Sequence, residues 1–168
     1  PASDISEQIS TAGLEASGTS NMKFMANGAL TLGTMDGANI EIFEEAGQEN
    51  GFVFGLLTEE IKKMEEEHSY NPQEYLDCNP GLARVVEQLV DGTYDPTHQL
   101  FKELHDSLIY GVEGQRPDVY YVLADFELYC KAQEEIAKAY TDKKAWARKT
   151  LINIANSGKF SSDRTIED

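Results

Sequence analysis

Residues 15–28 read Glu15-Ala-Ser-Gly-Thr-Ser-Asn-Met-Lys-Phe-Met-Ala-Asn-Gly28, and this stretch decides how we interpret the rest of the chain. Its small residues let the backbone approach a ligand closely, and Ser17 is suited to cap a helix that runs to about Asn27. The first amides of that helix, those of residues 18–20, would lack intrahelical partners. Together with the positive end of the helix dipole, they predict a site for an anion.

Lys23 lies one helical turn after Thr19, so both side chains project from the same face of the predicted helix, with Asn27 a turn further along. It is the only basic residue before Lys62, whereas eight carboxylates share the first fifty residues. We therefore expect a buried amine that loses its proton readily and attacks an aldehyde. Pyridoxal phosphate, with a phosphate and an aldehyde, could span from Thr19 to Lys23. The same spacing also fits a helix that Ser17 merely caps and a lysine that extends into solvent.

A family resemblance favours the first interpretation. Residues 15–24, followed by Asn27-Gly-Ala-Leu-Thr-Leu-Gly-Thr-Met-Asp-Gly-Ala-Asn39, resemble the cofactor-lysine segment of the α-glucan phosphorylases, which include glycogen, starch and maltodextrin phosphorylases. The resemblance covers essentially the whole chain. It continues through Glu44-Glu-Ala-Gly47, Phe52-Val-Phe-Gly55, Tyr70-Asn-Pro-Gln-Glu-Tyr75 and Asn153-Ile-Ala-Asn-Ser-Gly-Lys-Phe-Ser-Ser-Asp-Arg-Thr-Ile166.

The resemblance implies which residues hold the cofactor. Lys23 would form the Schiff base with pyridoxal 5′-phosphate. Gly18, Thr19 and Ser20 fall where the family binds the cofactor's phosphate through backbone amides and a hydroxyl. Many family members have a glycine at the position of Ser20. Since a main-chain amide serves there, the difference should be harmless.

The resemblance also implies a substrate and a reaction. Glu15, Ser17 and Gly18 fall where the family binds hydroxyls of the transferred glucosyl unit. The family uses inorganic phosphate to cleave a terminal α-1,4-linked glucose from a glucan and releases glucose 1-phosphate. Holding two phosphates close together requires basic residues nearby. The family's lysine and arginine ligands to these phosphates would precede Pro1.

By resemblance, the chain is the C-terminal part of the second lobe of a glycosyltransferase of the GT-B type. We therefore expect the isolated chain to be inactive, and its partners to include the remainder of the phosphorylase. The whole protein would be a homodimer in the cytoplasm, with the plastid as the alternative location. A second hypothesis, from another class, is a non-catalytic folded fragment with only a structural or binding role.

The composition of the chain limits the classes of molecule that it can bind. The formal net charge of −16 argues against nucleic acid and against an anionic membrane surface, because both require basic patches. No apolar run approaches the roughly 20 residues that span a bilayer. Cys78 and Cys130 lack the spacing of metal ligands, so we expect reduced thiols and no metal site.

The patterns along the chain predict an α/β fold, part of a Rossmann-like lobe, in which short parallel strands precede a mainly helical portion. Residues 29–34 and 52–55 are predicted strands, and residues 37–46 could form a crossover helix between them. We expect one partial domain, with a strand–helix segment over residues 1–57 and a mainly helical segment over residues 58–168.

Apolar stripes at helical spacing mark the expected core of the second segment. We expect a helix that begins at Asn79-Pro80 and ends at Gly92, and three further helices behind it. The predicted stripes are Leu82, Val85, Val86 and Leu89; Leu100, Leu104 and Leu108; Tyr129, Ala132, Ile136 and Tyr140; and Ala147, Leu151 and Ile154.

Overall fold

A computed structural model describes residues 3–15 and 17–167. The described part of the chain has an α/β fold, with a small parallel sheet and a larger share of helix, as the sequence predicts. The sheet contains β1 (Ile5–Gln8), β2 (Leu30–Gly33) and β3 (Phe52–Val53) in the order β1-β2-β3. Sequence patterns predicted β2 and β3 but missed β1, which pairs with β2 from Ile5 opposite Leu30 onward.

Each pair of neighbouring strands is joined through a helix. Helix α1 (Ser20–Ala26) connects β1 to β2, and α2 (Ala38–Ala46) connects β2 to β3. The predicted strand–helix–strand unit is therefore confirmed. These connections place the segments that follow β1 and β2 at the same edge of the sheet, because parallel strands point the same way.

Further helices follow β3. Those from the middle of the chain are α3 (Thr58–Glu67), α4 (Pro72–Cys78), α5 (Pro80–Glu87) and α6 (Lys102–Ile109). Those towards the end are α7 (Val122–Ala139), α8 (Lys143–Ala155) and α9 (Ser162–Glu167), with short 3₁₀ turns at Gln48–Asn50 and Ser157–Phe160. None of the helices in the described residues is both long and apolar enough to cross a membrane.

Local capping explains several helix starts. The Asn71 and Asn79 side chains accept hydrogen bonds from the amides of Gln73 and Leu82, and each is followed by a proline in the first turn. The predicted start at Asn79-Pro80 is therefore confirmed. The predicted end at Gly92 is wrong, since α5 ends at Glu87.

Contacts divide the chain into two compact units, and each has its own core. The first unit comprises Pro1–Ile61 and Glu127–Asp168, and the second comprises Lys62–Phe126. In the first, β2 and β3 pack against α7 and α8 through Leu30, Leu32, Phe52, Phe54, Ala132, Ile136 and Trp146. In the second, the core is formed by Leu76, Leu82, Val86 and Leu123.

Some predicted core positions are wrong. Ala147, Leu151 and Ile154 are exposed, because the buried residues of α8 are Trp146 and Asn153 on another face. Other predicted core residues that are exposed instead are Val85, Leu100, Leu104 and Tyr140. For the residues within helices, the spacing predicted a helical face, but a repeat cannot tell which face another element covers. Leu100 and Tyr140 lie just outside α6 and α7.

Candidate functional site

The Gly18 turn sets where α1 begins. Gly18 has φ +91°, which is left-handed and favours glycine, so the helix cannot extend back to Ser17. The N-cap is Thr19, whose side chain makes no capping hydrogen bond, and α1 begins at Ser20. The prediction that Ser17 caps this helix is therefore wrong.

One cavity of about 450 Å³ lies along the exposed face of α1. Its lining includes the predicted cofactor residues Thr19, Ser20 and Lys23, together with Asn27 a turn further along. The prediction that Thr19, Lys23 and Asn27 share a helix face is confirmed. The remaining lining residues are Ser3, Phe24 and Ala29. The cavity thus contains an amine, hydroxyls, a carboxamide and an aromatic ring.

Lys23 itself is exposed, and the prediction of a buried amine is wrong. The buried residues of α1 are Asn21 and Met25, which lie four apart on the face opposite Lys23. Within the described residues, no carboxylate lies within the 4.0 Å of a salt bridge from the Lys23 Nζ atom. Lys23 therefore presents its amine to the cavity without a salt-bridge partner among these residues.

The predicted substrate residues lie on the loop before α1, and this loop is tied to the start of α2. The Glu15 amide donates to the Asp36 carboxylate at 2.7 Å, and the Ala38 amide donates to the Ser17 carbonyl at 2.6 Å. Glu15 and Ser17 are both exposed and lie outside the cavity lining, as does Gly18. Ala16 lies outside the described residues.

Gly37 makes the contact between loop and helix possible. Its φ is +51°, and a Cβ atom there would lie 2.5 Å from the Ser17 carbonyl oxygen. Only glycine combines this backbone conformation with such a close approach. The Asp36-Gly37 turn therefore fixes the position of the loop.

A buried pair of asparagines, which sequence reasoning missed, lies behind this loop. Asn21 on α1 donates from Nδ2 to Asn39 Oδ1 on α2 at 2.9 Å, and Asn39 donates in turn to the Thr34 carbonyl at 3.1 Å. Both asparagines are buried. Their only signal in the sequence is that each lies in a motif that carries the family resemblance, where Asn21 directly follows Ser20.

Comparison with known proteins identifies the family to which the chain is similar. The model of the carbohydrate phosphorylase family matches residues 1–168. The human muscle form of glycogen phosphorylase is 53% identical over 167 residues, and the mouse muscle form is 51% identical over the same length. The sheep liver form is 50% identical over 169 residues.

These alignments cover 99–100% of this chain but only 19% of each relative. The chain thus spans about a fifth of the length of the curated relatives it matches. Which part of the whole protein it represents stays a prediction. Because the family model matches from the first residue to the last, the chain belongs to the carbohydrate phosphorylase family.

Proposed function

We propose that this chain supplies the cofactor-lysine half of the catalytic centre of an α-1,4-glucan phosphorylase. The observation that carries the proposal is that Lys23, Thr19 and Ser20 line one cavity in a chain of the carbohydrate phosphorylase family. The whole protein would use inorganic phosphate to release glucose 1-phosphate from glycogen or a related glucan. Its α/β fold would form part of a Rossmann-like lobe of GT-B type.

The residues of the cavity fit pyridoxal 5′-phosphate. Lys23 offers an amine for the aldehyde, and its exposure leaves the Nζ atom accessible. Thr19 and Ser20 offer hydroxyls and backbone amides for the phosphate, next to the open end of α1. When bound, the cofactor would supply a phosphate group able to exchange a proton with the substrate phosphate. Lys23, Thr19 and Ser20 would hold it in place.

The loop that precedes α1 would bind the sugar. Glu15 and Ser17 have exposed side chains, which suits them to hydroxyl groups of a glucosyl unit. The Glu15 carboxylate accepts a hydrogen bond from the Ser10 hydroxyl at 2.9 Å, which restricts its orientation. The anchoring of this loop to α2 would keep these groups at a fixed distance from the cavity.

The rest of the protein would supply what this chain lacks. Two phosphates require several cations, and Lys23 is the only basic residue among the described residues that line the cavity. The proposal therefore includes the remainder of the phosphorylase, with its opposing lobe, as a partner. It also includes a homodimeric, allosterically regulated whole protein located in the cytoplasm.

Labelling with pyridoxal phosphate tests the proposal directly. The chain is mixed with pyridoxal phosphate, reduced with borohydride, digested and analysed by mass spectrometry. The expected result is an adduct concentrated on Lys23 that decreases with excess inorganic phosphate and in Thr19→Val. Thr58→Val, at the start of α3, is the control and should leave the Lys23 adduct unchanged. Labelling spread evenly over the lysines would overturn the proposal.

The need for the opposing lobe has its own test. The purified chain is incubated with glycogen, inorganic phosphate and pyridoxal phosphate, and glucose 1-phosphate is measured. We expect none above the blank, while the whole protein assayed in parallel forms it. Product formation by the chain alone would show that the missing cations are not required.

A further inference from the structure

We propose that the Asn21–Asn39 pair is a positioning device that sets the geometry of the phosphate end of the cavity. The inference rests on the proposed function, because it concerns the same cavity. The pair touches none of the cavity's contents. It would act through the Gly18 turn and through the start of α1, which carry Thr19 and Ser20.

The hydrogen bonds of the pair run in one direction through three elements. The Met22 amide donates to Asn21 Oδ1 at 2.9 Å, and Asn21 Nδ2 donates to Asn39 Oδ1 at 2.9 Å. Asn39 Nδ2 then donates to the carbonyl of Thr34, just after β2, at 3.1 Å. Each carboxamide thus uses its oxygen as an acceptor and its nitrogen as a donor. A carboxylate or an alkyl side chain cannot replace either one in this sequence of bonds.

Close packing leaves the pair little freedom. A Cβ atom on Gly33 would lie 2.6 Å from Asn39 Nδ2, so the last residue of β2 must be glycine for Asn39 to fit. A Cβ atom on Gly18 would lie 3.1 Å from Asn21 Nδ2. The Asn21 carboxamide therefore packs directly against the Gly18 turn. Movement of this side chain would move the turn.

The pair also connects the two ends of the loop that carries Glu15, Ser17 and Gly18, which we call the substrate loop. Asn21 packs against Gly18, where the loop enters α1. Asn39 follows Ala38, whose amide holds the Ser17 carbonyl. A hydrogen bond between the two asparagines therefore joins the loop's exit to its anchor on α2. This arrangement would keep Thr19 and Ser20 at the distance from Lys23 that a molecule with a phosphate and an aldehyde requires.

Two variants remove the connection in different ways. Asn21→Ala deletes the donor to Asn39 and empties the contact with Gly18. Asn39→Asp keeps the shape but places a carboxylate oxygen against the Thr34 carbonyl, where a donor is required. Either variant is sufficient for the test if the other does not fold. Asn153→Ala is the matched control, because Asn153 is a buried asparagine of the same unit whose Nδ2 donates to the Asn50 and Lys149 carbonyls.

The measured quantity is a ratio of two rates. Lys23 is labelled in the chain with pyridoxal phosphate and, separately, with pyridoxal, which lacks the phosphate. Adducts are trapped with borohydride and counted by mass spectrometry. The ratio of the two rates, divided by the same ratio for Nα-acetyllysine in solution, reports how well the phosphate end is aligned with the amine, because this division removes the difference in intrinsic reactivity between the two aldehydes. A change that merely destabilises the chain lowers both rates together and leaves the ratio unchanged.

We expect the wild-type ratio to be well above one and to fall by about tenfold in Asn21→Ala and in Asn39→Asp, since small misplacements of binding groups have effects of at least this size. Asn153→Ala should keep the wild-type ratio. A wild-type ratio near one would overturn the proposed function. A high wild-type ratio that both folded asparagine variants retain would overturn only the positioning role.

Discussion

The two units satisfy left-handed backbone conformations in different ways. Among the described residues of the first unit, those with positive φ are all glycines: Gly13, Gly18, Gly28, Gly37, Gly47 and Gly55. The second unit has three such glycines and also five other residues in this conformation: His68, His98, Glu113, Asp118 and Tyr121. A side chain in this conformation costs about 1–2 kcal/mol. The first unit therefore avoids a strain that the second tolerates.

Close contacts explain the choice in the first unit. The Cβ atom that Gly37 lacks would collide with the backbone of the substrate loop, and that of Gly28 would lie 2.7 Å from Thr150. The glycines thus do more than relieve strain, because they let segments approach each other next to the cavity. A ligand site made of turns and helix ends requires such approaches.

Hydrogen bonds offset the strain in the second unit. Asp118 has φ 43° and is buried, yet its carboxylate accepts bonds from the Tyr70 hydroxyl and from the Val122 and Leu123 amides. Its own amide donates to the Ser107 carbonyl at 2.8 Å. One strained residue thus caps α7 and joins it to two other segments. The strain is local, and its compensation comes both from the nearby start of α7 and from Tyr70, which is distant in sequence.

The largest effect on stability is expected at Gly37, where glycine both adopts a left-handed conformation and allows a close backbone contact. Gly37→Ala should lower the free energy of unfolding of the first unit by about 3–5 kcal/mol, because strain and a backbone collision add together. Urea unfolding followed by the fluorescence of Trp146, the chain's single tryptophan, measures this. Gly13→Ala is the control in the same unit, because Gly13 has φ +89° and the new Cβ would meet only the Thr58 side chain, at 3.3 Å. A loss in Gly37→Ala no greater than that in Gly13→Ala would show that close approach to the backbone makes no contribution.

The second largest loss of stability is expected when the hydrogen bonds of the Asp118 carboxylate in the second unit are removed. Asp118→Ala should lower the free energy of unfolding by about 2–3 kcal/mol, because buried groups lose a charged acceptor. Circular dichroism during urea unfolding measures the change. Asp91→Ala removes an exposed carboxylate that accepts from the Thr93 amide, and should have a much smaller effect. Equal effects of the two substitutions would contradict the compensation.

A smaller effect is expected from the pH dependence of the hydrogen bond between Tyr70 and Asp118. Burial raises the pKa of the Tyr70 hydroxyl above its ordinary value, and the hydrogen bond to Asp118 raises it further. Above about pH 10, unfolded tyrosine releases a proton that folded Tyr70 retains, so stability is complete below this pH and falls above it. In Tyr70→Phe the fall should be less steep by up to about 1.4 kcal/mol per pH unit. Urea unfolding between pH 8 and 11 measures both slopes, and identical slopes would exclude this contribution.

The smallest expected effect is an increase in stability. Val112 and Gln115 close a turn through a backbone hydrogen bond of 2.9 Å, and both central residues, Glu113 and Gly114, have positive φ. Asn-Gly is the preferred pair for such a turn. Glu113→Asn should therefore raise the free energy of unfolding by about 0.5–1 kcal/mol, measured by circular dichroism. Glu113→Gln, which keeps the strain, should give no gain, and an equal gain would point to charge instead.

The sequence predicted which residues of the α1 segment share a face better than it predicted their surroundings. Thr19, Lys23 and Asn27 were placed on one face because helical spacing is a local property. The exposure of Lys23 was missed, since it depends on which face of α1 packs against the rest of the unit. The Asn21–Asn39 pair was missed for a related reason. Its hydrogen bonds join two helices across 18 positions of sequence, and nothing local requires them.

The fold shows the same division. Buried apolar runs predicted β2 and β3, and the Asn-Pro pair predicted the start of α5. Strand β1 carries Ser6, Glu7 and Gln8, so it has little strand character apart from its pairing with β2. The apolar residues of α8 predicted its helix correctly and its buried face wrongly. Partners distant in sequence decide both features.

The hydrogen bond between the Ala38 amide and the Ser17 carbonyl makes the hydrogen exchange of one backbone amide a measure of how often the substrate loop opens. An amide engaged in this way exchanges with deuterium only when the bond opens. The exchange rate of Ala38 therefore counts the moments at which residues 15–18 detach from α2. The readout needs neither a ligand nor a mutation, so the resting mobility of the loop before α1 can be followed in the unmodified chain.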